Sequence, residues 1–160
     1  MKKVFLVFLL AAMACSAQTS APATSRSTPE DISGMYTFLQ EGEFVQINLE
    51  DGSRVTGFIS RYGESGGDKG AFLDHMFKNG DLKGDHLHFK TRTVHGVSFE
   101  FDGTAERGEG KSSSAEGYRV LQGKLTQYTE DENKKTTAKS REVTLKSFPQ
   151  DAMVEHARKD

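Results

Sequence analysis

Along this chain a hydrophobic residue, one intervening residue and a glycine recur, as at Ile32-Ser33-Gly34, Val55-Thr56-Gly57, Leu82-Lys83-Gly84, Phe101-Asp102-Gly103 and Leu121-Gln122-Gly123. The copies stand roughly one hairpin apart, and between them apolar and polar residues alternate with the period of a strand. A glycine inside a strand costs about 0.5–1 kcal/mol relative to alanine, so its repetition needs a structural reason. Sharp strand bends at the corners of a barrel supply one. Strands are predicted near 34–40, 43–49, 53–61, 71–78, 84–91, 95–105, 117–128 and 136–148, with no helical crossovers between them. The fold expected is all-β, a single antiparallel up-and-down barrel of about eight strands.

The pattern also constrains register. In Phe44 to Ile59 the apolar residues Val45, Ile47, Leu49, Val55 and Ile59 all have odd numbers. Two paired strands bury both sets on one face only if the connecting loop has an odd length, because a one-residue slip turns the whole set outward. Glu50-Asp51-Gly52 is the predicted loop, with Gly52 in the left-handed conformation. By the same argument Arg92-Thr93-Val94 closes the next clear hairpin. That places Leu87 opposite Phe99, Phe89 opposite Val97, His86 opposite Glu100 and His88 opposite Ser98.

The bulk numbers fit such a fold. A chain of 160 residues makes one domain with a modest core. A composition 35% hydrophobic and 28% charged suits a sheet with one wet face. The formal net charge of −2 argues against a nucleic-acid partner, which calls for a basic face.

The first residues carry a different message. Met1-Lys2-Lys3 followed by apolar Val4 to Ala12 has the form of an export signal and is too short to span a bilayer as a helix. Residues 1–14 are read as that signal. Ala12-Met13-Ala14 before Cys15 resembles a bacterial lipobox, although leucine is usual where Ala12 stands; cleavage after Ala14 or Ala17 at small residues is the alternative. Cys15 is the only cysteine, and a lone thiol in an oxidising compartment is otherwise a liability. On the lipobox reading Cys15 is lipidated, and the membrane is met through this anchor alone. Ser16 resembles the next residue of lipoproteins sent to the outer membrane; without lipidation the chain is periplasmic or secreted. Residues 15–32, rich in Ser, Thr, Ala and Pro, then form a flexible tether, 33–149 the barrel and 150–160 a polar tail.

With Gly34-Met35-Tyr36 opening the first strand of a glycine-punctuated meander behind an export signal, residues 33–148 resemble the lipocalin or calycin superfamily. In that family the opening motif is Gly-x-Trp, and an arginine on the last strand packs over the tryptophan. The resemblance implies that Tyr36 takes the aromatic place and Arg141 the arginine's; the family's middle Thr-Asp-Tyr motif is missing here. The chain also resembles small exported bacterial β-domains of uncharacterised type.

Several motifs suggest chemistry and are read against their surroundings. His86-x-His88 puts two imidazoles on one strand face, and Glu100 across the ladder would make a third metal ligand. The odd-numbered neighbours are the apolar ones, however, so that face is solvated and no metal is expected. Gly63-Glu64-Ser65-Gly66-Gly67 resembles the nucleophile motif of trypsin-like proteases, but no histidine precedes it. Gly110-Lys111-Ser112 lacks the earlier glycine of a phosphate-binding loop, since position 105 is Ala105. Asp74-His75 is a candidate acid–base pair without a nucleophile or oxyanion donors at readable spacing. A non-catalytic role without a cofactor is therefore expected.

The predicted interior consists of Tyr36, Val45, Ile47, Leu49, Val55, Ile59, Leu87, Phe89, Val97, Phe99, Phe101, Leu121, Leu125, Val143 and Leu145. Barrels of eight strands are either filled by such side chains or hold one small ligand. The leading expectation is a barrel that binds a small apolar or amphipathic ligand among these residues and Arg141. The alternative is a solid barrel that contacts an unidentified envelope partner through its loops. Of these, Tyr62–Lys69 and Glu106–Glu116 are predicted to lie at opposite ends.

Overall fold

The computed structural model describes residues 31–64 and 66–149; the signal, Cys15, most of the tether, Ser65 and the polar tail lie outside the described residues. Eight strands follow one another as β1 (Gly34–Thr37), β2 (Phe44–Leu49), β3 (Val55–Tyr62), β4 (Phe72–Lys83), β5 (His86–Thr91), β6 (Val97–Arg107), β7 (Arg119–Glu130) and β8 (Thr136–Lys146). Each pairs antiparallel with the next in a meander, β1 to β8. A Tyr36–Ser147 bridge, with the Phe148 N–H donating to the Met35 carbonyl at 2.8 Å, brings the last strand back to the first. The sheet curls into the expected barrel.

The contact between β1 and β8 is short. β1 stops at Thr37, so the upper part of β8 has no strand on its far side among the described residues. Thr136 to Glu142 are exposed throughout. Lys139 and Arg141 stand on the inward-facing register of this edge, opposite Gln127 and Leu125. Inward-pointing charge on an edge strand opposes pairing with another chain.

Two hairpins keep the predicted parity with longer loops. Leu49 pairs with Val55, so the β2–β3 loop is Glu50–Arg54. Glu50 organises this turn: its N–H donates to the Arg54 carbonyl at 2.8 Å, and its carboxylate accepts from Thr56 Oγ1 at 2.8 Å and from the Arg54 guanidinium. Ser53 (φ 72°) takes the left-handed conformation expected of Gly52.

In the second hairpin Leu87 pairs with Gly103 and Phe89 with Phe101, four residues along β6 from the predicted partners. The turn falls at His95 (φ 49°) and Gly96 (φ 76°), a pair of left-handed residues that closes a tight hairpin between Val94 and Val97. His86 therefore faces Thr104, His88 faces Asp102 and Lys90 faces Glu100.

The repeated glycines divide into two kinds. Gly103 and Gly123 pair across β6 and β7, and a Cβ on Gly103 would sit 2.3 Å from the Gln122 carbonyl oxygen. On Gly57 it would lie 1.9 Å from the Gln46 carbonyl oxygen. These are places where backbone meets backbone at the bends. Gly84 instead turns β4 into β5 at φ 67°, with open space around it.

The interior is densely aromatic. Phe77, Phe89 and Phe101 stack in series, with ring centroids 4.2 and 5.4 Å apart. Tyr36, Val45, Ile47, Val55, Ile59, Leu87, Phe89, Phe99, Phe101, Leu121, Leu125 and Leu145 are buried in one cluster, joined by Ile32, Phe38 and Leu82. Leu49, Val97 and Val143 pack against it partly buried.

Candidate functional site

The end of the barrel where β1–β2, β3–β4, β5–β6 and β7–β8 are joined, called upper here, carries polar side chains inside the wall. Their positions follow from strand parity. Arg61 continues the inward series of Val55 and Ile59 on β3, and His75 falls between the inward Leu73 and Phe77 on β4. Arg61 is 5% exposed and His75 0%.

The two side chains are joined directly: Arg61 Nε donates to His75 Nε2 at 3.1 Å. That bond makes Nε2 the acceptor and puts the imidazole proton on Nδ1. Nδ1 is buried and makes no hydrogen bond of normal geometry, although the Arg92 and Val97 carbonyls lie on its side. Burial, and then the Arg61 charge, pull the His75 pKa from 6.5 down to about 4, so the ring is neutral at pH 7.

Arg61 Nη1 donates to the Tyr62 carbonyl at 3.0 Å and lies 3.7 Å from Glu64 Oε1, on a loop side chain 63% exposed. Beneath the guanidinium lies the Phe99 ring, its centroid 5.5 Å from Cζ. Phe38 and His75 both meet that ring edge-on. Glu43, also buried, is fully used by backbone: Tyr62 N–H donates to Oε1 and Gln40 N–H to Oε2, both at 3.0 Å. It lies beyond ion-pair reach of Arg61.

Asp74 and His75 do not form the acid–base pair considered from sequence. Adjacent residues in a strand face opposite ways, and Asp74 points outward to accept from Ser60 Oγ at 2.7 Å. Parity, the signal that could have marked Arg61 and His75 as interior, was readable in the chain.

On the outer wall, His86, His88 and Glu100 do not converge. His86 Nε2 lies 3.4 Å from Asp102, while His88 Nε2 lies 3.2 Å from Glu100. Tyr128 OH donates to Glu100 at 2.8 Å and Lys90 Nζ lies 3.3 Å away. The Tyr128 hydroxyl, then His88, hold the Glu100 carboxyl at about 2. Among the described residues no group of three or more metal-binding side chains gathers.

Arg141 is exposed, six residues up β8 from the Ser147 bridge to Tyr36; the arginine sharing a groove with Tyr36 is Arg119. That groove, about 490 Å³, lies at the lower end by β1. Two more, of about 520 and 500 Å³, open beside the β6–β7 loop and over the β4–β5 bulge. Gly110-Lys111-Ser112 lies in the turn between β6 and β7, with no helix following. Loops 63–71 and 108–118 leave opposite ends of the barrel, as predicted.

No family model matches this sequence, and no curated protein does. The rhizavidin–biotin complex superposes with a TM-score of 0.53 at 12% identity, covering 72% of this chain and 98% of that one. Apo short afifavidin gives 0.53 at 13%, covering 74% and 97%. The short afifavidin–biotin complex gives 0.52 at 13%, covering 72% and 88%. At these identities the likeness is one of fold: an eight-stranded antiparallel barrel of the avidin-like, calycin kind.

Proposed function

We propose that this protein is an exported binding barrel that holds a small amphipathic ligand at its upper mouth. The observation that carries the reading is the buried Arg61–His75 pair, a cation inside the wall whose nearest carboxylate is the exposed Glu64, 3.7 Å away. Buried polar groups lacking full partners are costly to a fold. A ligand that completes them gives the arrangement a purpose. The middle of the barrel is occupied by stacked phenylalanines, which leaves its ends for a ligand. Two of the structural neighbours are complexes with biotin.

Thermal unfolding against a panel of small amphipathic molecules, biotin included, tests this. A ligand that binds the native state raises the melting temperature in proportion to its saturation. At least one member is expected to do so, with the shift lost in Arg61→Gln. A flat panel counts against the reading.

The proposal includes delivery through the signal at residues 1–14 and an acyl anchor on Cys15 at the outer membrane. Metabolic labelling with palmitate is expected to mark the wild type and not Cys15→Ser.

One observation favours a second reading, a partner-docking module. Phe72 and Met76 are 53% and 50% exposed on the outer wall, beside Phe44, Phe58 and Tyr62. A binding partner lost on Phe72→Ser, with the thermal panel flat, would move the account to that surface.

A further inference from the structure

We infer that the group the mouth recognises is a carboxylate, received by Arg61 in place of Glu64. The inference rests on the mouth reading above and names the ligand's anchoring chemistry.

A guanidinium presents five N–H donors in a planar fork that matches a carboxylate. In this structure Nε is taken by His75, and Nη1 by the Tyr62 carbonyl and the distant Glu64 oxygen. Nη2 makes no hydrogen bond among the described residues. The fork is thus half used, although the side chain is buried and its charge has no buried counterpart. Glu43, the one buried carboxylate near this end, is held away by two backbone N–H groups.

Glu64 fits the part of a displaceable occupant. It sits 3.7 Å from Nη1, longer than a charge-assisted hydrogen bond, on a glycine-rich loop. A ligand carboxylate at the same edge could reach both Nη atoms. His75 keeps the fork in position and, being neutral, adds no competing charge. Phe99, buried beneath the guanidinium with its centroid 5.5 Å from Cζ, holds the fork from below.

The test is a titration of the folded chain, isotope-labelled for nuclear magnetic resonance, with hexanoate and biotin. Each is compared with its own primary amide. The readouts are the Arg61 Nε–H and His75 side-chain resonances. The acids are expected to shift both signals and to bind at least about tenfold more tightly than the amides, because a charge-assisted pair replaces a neutral one.

Glu64→Gln, an exposed change that leaves the core alone, is expected to strengthen acid binding by up to about fivefold, the most that an exposed ion pair withholds. Amide binding should gain less, since only the acid is also relieved of repulsion by the Glu64 charge. Acid and amide binding equally at the Arg61 signals, with Glu64→Gln inert, would overturn the carboxylate while leaving the mouth as the site. Failure of all four probes to move either signal would overturn both.

Discussion

His75 should make the stability of this barrel depend on pH between neutrality and about pH 5. Its imidazole is fully buried, and burial together with the Arg61 charge lowers its pKa from 6.5 to about 4. The other charged group bearing on it is Asp74, which acts weakly in the opposite direction. As pH falls below about 6.5 the unfolded chain takes up a proton here that the folded chain refuses. The unfolded state therefore gains, and stability is lost until the folded group also titrates near pH 4. Between pH 7.5 and pH 5 the loss corresponds to about 1.5 pKa units, or about 2 kcal/mol. For a domain whose total stability is of order 5–15 kcal/mol, that is readily measured.

The assay is urea unfolding followed by circular dichroism across this range, for the wild type and His75→Phe. Phenylalanine can keep the edge-on contact with Phe99, whose centroid lies 5.2 Å from that of the imidazole. It leaves Arg61 Nε without an acceptor, which costs about 1–3 kcal/mol at every pH. The difference between the two slopes isolates His75. The low Glu100 carboxyl loses its contribution mainly below the window, as pH falls from 4.5 toward about 2. Parallel slopes in the two proteins would refute the reasoning.

Further consequences concern the backbone and the open edge. Gly103→Ala drives a Cβ to 2.3 Å from the Gln122 carbonyl oxygen and 2.7 Å from Gly123 Cα, and should cost about 2–3 kcal/mol by urea unfolding. Gly84→Ala, strained only by its φ of 67°, should cost about 1 kcal/mol; equal losses would contradict the division between close approach and turn. The double change Lys139→Val with Arg141→Val removes inward charge from the free part of β8, and size-exclusion chromatography should then show dimers or larger species. A strictly monomeric variant would show that those side chains do not guard the edge.

What could be read in the chain was parity. Val45, Ile47 and Leu49 face inward with Val55 and Ile59 although the loop between them is longer than predicted. An alternating pattern fixes only whether a loop is odd or even. Its length was set by the hydrogen bonds gathered on Glu50, which the pattern does not record. In the β5–β6 hairpin the four-residue slip likewise preserved the buried faces while changing every outer pair. The His86–Glu100 pairing, being external, had no burial to hold it.

The upper mouth shows the other side of this. Arg61 and His75 carry inward parity, but a charged residue and an imidazole between hydrophobic ones do not announce that they bond to each other across β3 and β4. The place given to Arg141 came from a family resemblance. The exposure of that residue depends on where β1 stops, and apolar alternation continues past Thr37 into Phe38.

The measurement that bears most directly on the account is native mass spectrometry of the protein purified from the organism that makes it, followed by denaturing extraction of anything it carries. The account predicts one small carboxylate-bearing molecule per chain, retained by the wild type and absent from Arg61→Gln folded under the same conditions. A wild-type chain that arrives empty, and whose mass is unchanged by added hexanoate or biotin, would contradict it.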